Sequence, residues 1–237
     1  MAPHSERGAV VVLSGGQDST SCLFWAKTQF RRVFAITYNY GQRHRRELES
    51  ARHVACLAGV PHQIMNIPNI LISSSPLTNM TREVKQYASA DTLPGGIEKT
   101  FVPGRNALFL VLAANYAISR KCQAIVMGVG QEDFGGYPDC RESFIQAMQI
   151  ALNEAMFGSP NGLTVYTPLM YMSKADTVRF SEQLEGCREA MAFSHTCYRG
   201  DSPPCGKCHA CLLRARGYQE AGVIDPLLER LSQGKDS

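Results

Sequence analysis

The fold of this chain can be predicted from one segment near its N-terminus, Ala9-Val10-Val11-Val12-Leu13-Ser14-Gly15-Gly16-Gln17-Asp18-Ser19-Thr20. Its first five residues are apolar and rich in valine, which is typical of a strand buried on both faces of a parallel sheet. Two glycines follow, and they allow the backbone to approach an anion closely. We predict that Ser19 and Thr20 cap the next helix, whose first amide groups can bind phosphate. The segment therefore predicts a strand, a phosphate-binding loop and a helix.

The alternation of strand and helix patterns continues along the chain. Further strands are predicted at residues 33–38, 62–67, 124–129 and 164–167, and further helices at residues 45–59, 105–120, 141–156 and 173–184. This order predicts a doubly wound, mostly parallel α/β sheet with its ligand crevice at the carboxyl ends of the strands. Residues 68–103 break the alternation, and we interpret them as a long insertion that closes over a site or joins a dimer interface.

The C-terminal part of the sequence has a different character. After residue 185 the chain becomes rich in cysteine, proline and glycine before a last predicted helix at residues 212–221. We therefore predict an α/β nucleotide-binding domain at residues 1–190 and a small metal-binding subdomain at residues 191–237.

The composition excludes several classes of protein. The chain has 237 residues, of which 44% are hydrophobic and 19% charged, and these values are typical of a globular protein. A net charge of +3 is too small to indicate a nucleic-acid or membrane partner. The longest apolar stretch, residues 107–118, is shorter than the roughly 18 residues that a membrane span needs. No signal-peptide pattern is present, so we expect a cytoplasmic protein without a membrane or direct nucleic-acid partner.

The glycine loop differs from two common nucleotide-binding motifs. It is not G-x-x-x-x-G-K-[ST], since it lacks the lysine for the β- and γ-phosphates, and it is not G-x-G-x-x-G. The Asp18 carboxylate would repel a polyphosphate unless a cation lay between them, so we predict that Asp18 binds Mg²⁺. A plain glycine turn with an aspartate cap is the alternative.

Ser-Gly-Gly-x-Asp-Ser after an N-terminal strand resembles the signature of the ATP-pyrophosphatase (PP-loop) superfamily, whose fold is of the adenine nucleotide alpha-hydrolase type. Members of this superfamily activate an oxygen as its adenylate and release pyrophosphate. The resemblance implies that one continuous segment binds ATP: Leu13, Ser14, Gly15, Gly16, Gln17, Asp18, Ser19, Thr20, Ser21, Cys22 and Leu23.

Downstream motifs narrow the resemblance to one family. These motifs are Tyr38-Asn39-Tyr40-Gly41-Gln42-Arg43-His44, Thr100-Phe101-Val102-Pro103-Gly104-Arg105-Asn106, Gly135-Gly136-Tyr137-Pro138-Asp139-Cys140-Arg141 and Thr167-Pro168-Leu169 with Lys174. In this order, and with the terminal cysteines, they resemble the 7-cyano-7-deazaguanine synthases of queuosine biosynthesis over about residues 9–222. One departure is Gly135, where the family often has a serine.

The resemblance implies an ATP-dependent C–N ligase. Its substrates would be 7-carboxy-7-deazaguanine, ammonia and ATP, and its product 7-cyano-7-deazaguanine would form through an adenylated carboxylate and an adenylated amide. No glutaminase motif is visible, so free ammonia is the implied nitrogen donor. We also expect Mg²⁺ with ATP and a homodimer.

Several residues are carried over as site candidates. The implied catalytic residues are Asp18, Ser19 and Arg105, and the implied substrate-binding residues are Gln42, Arg43, Asn106, Asp133, Tyr137, Asp139, Arg141 and Lys174. Arg43-His44-Arg45-Arg46 opposes the dipole of the helix that it begins, which suggests a nearby anion, although a solvated basic face stays possible. Capping of a helix by Asn106 is the alternative to its contact with ligand.

Three carboxylates, Glu132, Asp133 and Asp139, are close together in one glycine-rich loop after a predicted strand. Such a loop can hold Mg²⁺ or recognise the amino edge of a purine-like ring, and a merely hydrophilic loop is the alternative. We predict that Asp139 reads the base, because a rigid Tyr137-Pro138 dipeptide precedes it. Asp133 is the second choice.

Four of the nine cysteines form the pattern Cys197-x₇-Cys205-x₂-Cys208-x₂-Cys211. Four thiolates are what a tetrahedral structural Zn²⁺ site takes. Three cysteines spaced by three on one helix would rise about 9 Å, so we expect Cys205 and Cys208 in a turn before a helix that carries Cys211. An iron–sulfur cluster could use the same spacing and stays open. Haem attachment at Cys205-x-x-Cys208-His209 does not suit an unexported chain, and we expect His209 to face solvent.

Two other functions remain as alternatives. A transfer-RNA thiolase of the same superfamily would need a cysteine that carries a persulfide, such as Cys140 or Cys187, and a basic surface for RNA. A zinc-ribbon module that binds nucleic acid without catalysis is the second alternative.

Overall fold

A parallel sheet lies at the centre of the computed structural model, which describes residues 5–67, 70–94, 96–131, 136–159 and 162–234. Within these ranges the strands are β1 (Ser5–Val12), β2 (Phe30–Asn39), β3 (His62–Asn66), β4 (Ala124–Met127) and β5 (Thr164–Tyr166). Their order in the sheet is β3-β2-β1-β4-β5, and every pair is parallel. The order reverses at β1, so a crevice opens between the carboxyl ends of β1 and β4.

Helices connect and follow the strands. They are α1 (Gln17–Gln29), α2 (Arg46–Ala58), α3 (Arg105–Ser119), α4 (Glu142–Phe157), α5 (Lys174–Glu182), α6 (Cys187–Met191), α7 (His209–Ala221) and α8 (Pro226–Ser232). Short 3₁₀ turns lie at Ala90–Thr92 and Pro138–Cys140. None of the helices in the described ranges is both long and apolar enough to cross a membrane.

The two faces of the sheet bury separate cores. Ala9 and Val11 of β1 pack with α1, α2, α5, α6 and α7, whereas Val10 and Val12 pack with α3 and α4. This two-sided covering explains why β1 is apolar at consecutive positions rather than at alternate ones. The predicted doubly wound α/β fold is confirmed.

The predicted element boundaries agree with the structure within a few residues, except near the C-terminus. The last predicted helix begins at His209 rather than at residue 212, and α6 and α8 were not predicted. A start signal for α8 was present in the sequence, since the Asp225 side chain accepts the Leu227 N–H at 3.0 Å and Pro226 occupies the first turn.

A buried ion pair within the C-terminal segment holds α7 to the start of α8. Arg214 on α7 donates to both carboxylate oxygens of Asp225, at 2.7 and 2.8 Å, and also to the Ser194 hydroxyl at 2.9 Å. Tyr218 of the same helix belongs to the core on the α1 face of the sheet. The division of the chain at residues 190 and 191 stays a prediction.

Candidate active site

The glycine loop lies at the carboxyl end of β1 and is packed against α2. Gly15 has a φ of 85°, and a Cβ atom there would lie 2.4 Å from the Glu47 carbonyl oxygen and 2.6 Å from the Ala51 nitrogen. Only glycine fits, because these contacts are to backbone atoms that cannot move away. The loop is therefore held in one position relative to the start of α2.

The first turn of α1 has no side-chain cap in the described structure. The Ser19 and Thr20 hydroxyls donate to the Gly16 carbonyl oxygen, at 3.1 and 2.8 Å, so the prediction that they cap the helix is wrong. Ser19 Oγ instead accepts the N–H of Ser14 at 3.1 Å and shapes the loop. The first amide groups of α1 thus remain for an anion, as expected at a phosphate site.

The end of β4 closes the other side of the crevice. A Cβ atom at Gly128 would lie 2.9 Å from the Asp18 carbonyl carbon and 3.0 Å from the Ser19 nitrogen. This glycine allows β4 and α1 to approach closely at the point where the strand order reverses. Sequence analysis missed Gly128, although its position directly after an apolar strand was a usable signal.

An ion pair joins the glycine loop to the C-terminal half of the chain. Lys174 Nζ, at the first residue of α5, lies 2.8 Å from Asp18 Oδ2, and about a fifth to a quarter of each side chain is exposed. Gly217 allows α7 to approach α5 closely, since a Cβ atom at this position would lie only 3.0 Å from Lys174 Cβ. Two predicted site residues are therefore brought together.

These elements surround a cavity of about 250 Å³. Its polar and charged lining residues come from widely separated parts of the chain: Ser14, Gln17, Asp18, Ser19, Thr37, Tyr38, Tyr40, Gln42, His44, Glu47, Arg105, Asn106, Tyr137, Lys174, Thr196, Tyr198, His209 and Arg214. Apolar walls are supplied by residues such as Phe109 and Met127. A concave site with convergent polar groups is the expected form of a small-molecule pocket.

Arg105 supplies a cation to this cavity from the first turn of α3. Its Nη1 lies 3.5 Å from the Tyr40 hydroxyl, and no carboxylate of the described residues forms an ion pair with it. Burial raises the pKa of Tyr40 although Arg105 lowers it, so the phenol stays neutral beside the guanidinium. Tyr198, which sequence analysis missed, also lies close enough to interact with Arg105.

Tyr137 extends this group of aromatic residues. Its hydroxyl lies 2.7 Å from Thr100 Oγ1, and its ring stacks on Phe101 at 5.3 Å. Burial raises the pKa of Tyr137, and a hydrogen bond with Tyr198 lowers it. The insertion, through Thr100 and Phe101, and the C-terminal segment, through Tyr198, thus both contact the Tyr137 side chain.

Asp139 and Asn106 contact each other at the start of α3. The Asn106 side-chain amide donates to the Asp139 carbonyl oxygen at 3.0 Å, and the Asn106 N–H points to Asp139 Oδ2 at 3.4 Å. Burial raises the pKa of Asp139, which Arg105 opposes. Asp139 is 7% exposed and is not among the residues that line the cavity, so its base-reading role stays a prediction. Glu132 and Asp133 lie outside the described residues.

Of the three other candidates, Gln42 and Arg43 make contacts within the protein. The Gln42 amide accepts the Tyr40 N–H at 3.0 Å and donates to the Tyr38 carbonyl at 3.1 Å. Arg43 donates to backbone carbonyls of the insertion, at residues 76 and 80, at 3.0 Å each, and it does not line the cavity. Arg141 is exposed directly before α4. Their substrate contacts stay predictions.

The four C-terminal cysteines form a compact cluster that could hold a metal ion. Their ligand atoms all lie within 4.8 Å of one another. Cys208 ends the turn and is the N-cap of α7, and Cys211 lies in its first turn, so the predicted turn and helix are confirmed. Hydrogen bonds among these thiols hold the pKa of Cys197 well below its ordinary value and raise those of Cys208 and Cys211, so one thiolate is favoured among the three.

Residues next to the cysteine cluster in the chain form part of the cavity wall. His209 is only 4% exposed and lines the cavity, so the expectation that it faces solvent is wrong. Tyr198, next to Cys197, lines the same wall. The insertion docks on the other side of the cluster, where the Tyr87 N–H donates to the Lys207 carbonyl at 2.9 Å. The segment that carries the cluster therefore contacts the insertion on one side and the cavity on the other.

Comparison with known proteins identifies a family and several relatives of this chain. The family model "Queuosine biosynthesis protein QueC" matches residues 8–222. A 7-cyano-7-deazaguanine synthase from Laribacter hongkongensis is 49% identical over 225 residues, which cover 94% of this chain and 95% of that protein. One from Gloeobacter violaceus is 50% identical over 222 residues, covering 92% and 94%. Among solved structures, the NMN synthetase of Francisella tularensis has a TM-score of 0.49 at 13% identity, covering 98% of this chain and 79% of that one.

Proposed function

The chain belongs to the QueC family of queuosine biosynthesis proteins, and from this membership we propose that it converts 7-carboxy-7-deazaguanine and ammonia to 7-cyano-7-deazaguanine at the expense of ATP. The use of ATP in this proposal is supported by one observation, the glycine loop followed by a helix whose first turn has no side-chain cap. Its amide groups, together with Lys174, present positive charge at the switch point of the sheet. This is where the pyrophosphate of ATP would bind.

The chemistry consists of two activations of the same carbon. A carboxylate oxygen attacks the α-phosphorus of ATP, the bond to the β-phosphate oxygen breaks, and pyrophosphate leaves. Ammonia then attacks the acyl carbon, and AMP leaves with the electron pair of the C–O bond while a proton is lost. The amide oxygen attacks a second ATP in the same way, and loss of AMP and of the N–H protons leaves the nitrile.

The protein contributes chiefly position and charge to these steps. The glycine loop and the first amides of α1 bind the pyrophosphate, and Ser19 keeps the loop in shape through Ser14. Asp18 and Lys174 sit at the mouth of the cavity, where Lys174 can contact a phosphate oxygen. Mg²⁺ bound with ATP would neutralise phosphate charge there, and the Asp18 carboxylate is a suitable oxygen ligand for it.

Arg105 is the proposed partner of the substrate carboxylate. It is a cavity cation that has no carboxylate partner among the described residues, and Tyr40 and Tyr198 surround it. A guanidinium can hold a carboxylate through two parallel hydrogen bonds. This contact would orient the acid for attack on ATP.

We expect Arg105→Gln to raise the KM for the acid by roughly 30-fold or more, because a charge-assisted pair in a desolvated site is lost. The KM for ATP should change less than threefold. Steady-state kinetics with each substrate varied will measure both values. Equal weakening of ATP and acid would assign Arg105 to the nucleotide instead.

The cysteine cluster is proposed to hold one structural Zn²⁺. At Zn–S bonds of about 2.3 Å the sulfurs of a tetrahedral site lie about 3.8 Å apart. The 3.9 Å between the sulfurs of Cys205 and Cys211 matches that spacing. In an iron–sulfur cluster the four cysteines are shared among two or four irons, so at least some of their sulfurs lie farther apart than in a site with one ion.

Recognition of the deazaguanine ring is assigned to the loop that precedes α4. Asp139, with Asp133 as second choice, would accept from the ring N–H and the exocyclic amine, and Tyr137 would stack on the ring. We further propose a cytoplasmic homodimer that acts on small molecules without binding nucleic acid.

Pyrophosphate release tests the function directly. The purified protein, with Mg²⁺, ATP and ammonium, should release pyrophosphate when 7-carboxy-7-deazaguanine is added and should form the nitrile. Transfer RNA with a sulfur donor should not replace the acid. A response to RNA alone would support a thiolase, although Cys187 is fully buried and burial raises its pKa to about 12, which disfavours a persulfide there.

A further inference from the structure

His44 has an unusual environment at the rim of the glycine loop. Its side chain is 3% exposed, and its Nε2 lies 2.8 Å from Glu47 Oε2. Its Nδ1 is buried and has no hydrogen-bond partner among the described residues. A buried polar atom without a partner is unfavourable in a folded protein, so it is expected to meet a ligand.

The pairing with Glu47 fixes which nitrogen of His44 carries the proton. An ionised carboxylate accepts hydrogen bonds only, so Nε2 must donate its N–H to Glu47. The neutral imidazole therefore presents an unshared electron pair at Nδ1. Glu47 thereby holds the imidazole in one tautomer and one orientation, as the carboxylate does in other base–carboxylate pairs.

The position of this pair is coupled to the phosphate-binding loop. His44 and Glu47 both line the cavity with Ser14, Gly16 and Asp18. The Glu47 carbonyl lies directly against Gly15, where a Cβ atom would be 2.4 Å away. On the other side the His44 ring lies 6.1 Å from the ring of Tyr198. The imidazole is thus held beside the place where ATP and acid would react.

The other acid–base groups of the cavity have different surroundings. The Asp18 carboxylate is paired with Lys174, and Arg105 and Arg214 cannot accept a proton. His209 follows the cluster residue Cys208 directly. His44 is therefore the cavity histidine whose carboxylate partner prepares it to accept a proton.

We propose that His44 is the general base that prepares ammonia for attack and that Glu47 is its positioning residue; this rests on the proposed function. Ammonium, the main form at pH 7, gives one proton to His44 Nδ1. The freed electron pair of ammonia forms the C–N bond to the acyl carbon, and AMP leaves with the electrons of the C–O bond. The adduct loses a second proton to water as the amide forms, and His44 then returns its proton to solvent.

His44→Gln separates this role from a structural one. Acid-dependent exchange of labelled pyrophosphate into ATP measures adenylation, which needs no base for ammonia, and should stay within about threefold of wild type. Product formation from ammonium should fall at least 100-fold, within the usual contribution of a general base. Hydroxylamine is neutral at pH 7 and attacks without prior deprotonation, so hydroxamate formation should stay within about fivefold.

Three further variants complete the test. His53→Gln alters an exposed histidine on α2 and is the matched control, for which all three rates should be unchanged. Glu47→Gln should lower kcat with ammonium while leaving the KM for the acid unchanged, and Glu47→Asp should restore part of the loss. His209→Gln should not show the ammonium-specific loss.

The outcomes are distinguishable from failure of the proposed function. Equal losses with ammonium and hydroxylamine in His44→Gln would overturn the base role and make His44 structural. The same conclusion follows if His209→Gln alone shows the ammonium-specific loss. Absence of acid-dependent exchange in the wild-type protein would contradict the proposed function itself. If His44→Gln does not fold, as judged by circular dichroism, Glu47→Gln decides by the same comparison of nucleophiles.

Discussion

Asp18→Asn is expected to lower acid-dependent pyrophosphate release about a thousandfold, the largest change in rate that we predict. The substitution removes the negative charge that pairs with Lys174 at 2.8 Å and that would bind Mg²⁺ beside the phosphates. Charge placed at the reacting phosphates acts in a water-poor site, where each interaction has a large effect on the transition state. Release of pyrophosphate with the acid as substrate measures the loss.

The stability of this variant should change little. The side chains of the ion pair are 20% and 27% exposed, so the pair contributes only about 1 kcal/mol, which corresponds to a shift of at most about 4 °C in Tm. Asp176→Asn is the matched control, since Asp176 also pairs with a cation, Arg179 at 3.0 Å, but lies away from the cavity. Activity of Asp18→Asn within threefold of wild type would contradict the assignment of Asp18 as a Mg²⁺ ligand at the phosphates.

The fold was predictable because its signals are local. A buried parallel strand is recognisable as a short apolar run. The glycines of the phosphate-binding loop follow β1 within a few residues, so both signals lie in one short segment of the sequence. Periodicity of apolar residues likewise located α3 and α4. The sheet order then followed from the general geometry of strand–helix–strand units.

The cavity was only partly predictable because its walls depend on contacts between distant segments. Asp18 and Lys174 are separated by 156 positions, so no local pattern could reveal that they form an ion pair. Gly128 matters because of the backbone of α1, which lies against it only in the folded molecule.

The wrong expectation at His209 has the same physical origin. His209 was expected in solvent because a polar side chain in a cysteine-rich loop is usually exposed, but the loop folds back onto the cavity and buries it. Arg43 was carried over as a substrate residue from the family motif. In the folded chain its guanidinium donates to carbonyl groups of the insertion, and its contact with substrate stays a prediction.

Cys208→Ser is expected to produce the largest loss of stability. Cys208 is fully buried, is the N-cap of α7 and packs with Cys197, Cys211 and Val84. A serine hydroxyl is a poor ligand for a soft metal site, so bound zinc should fall from one to less than about 0.2 per chain. Because binding at such a site is coupled to folding, about 4 kcal/mol of stability should be lost, or roughly 8–16 °C in Tm.

The loss should extend to the cavity, because the cluster positions Tyr198 and His209 and supports the insertion through the Tyr87–Lys207 hydrogen bond. We therefore expect faster proteolysis of residues 84–101 and a higher KM for the acid in the fraction that stays folded. Cys56→Ser, which alters an exposed cysteine on α2, is the matched control and should keep wild-type metal and Tm. Unchanged metal content in Cys208→Ser would exclude Cys208 as a ligand, and iron with sulfide in anaerobically purified wild-type protein would replace zinc by an iron–sulfur cluster.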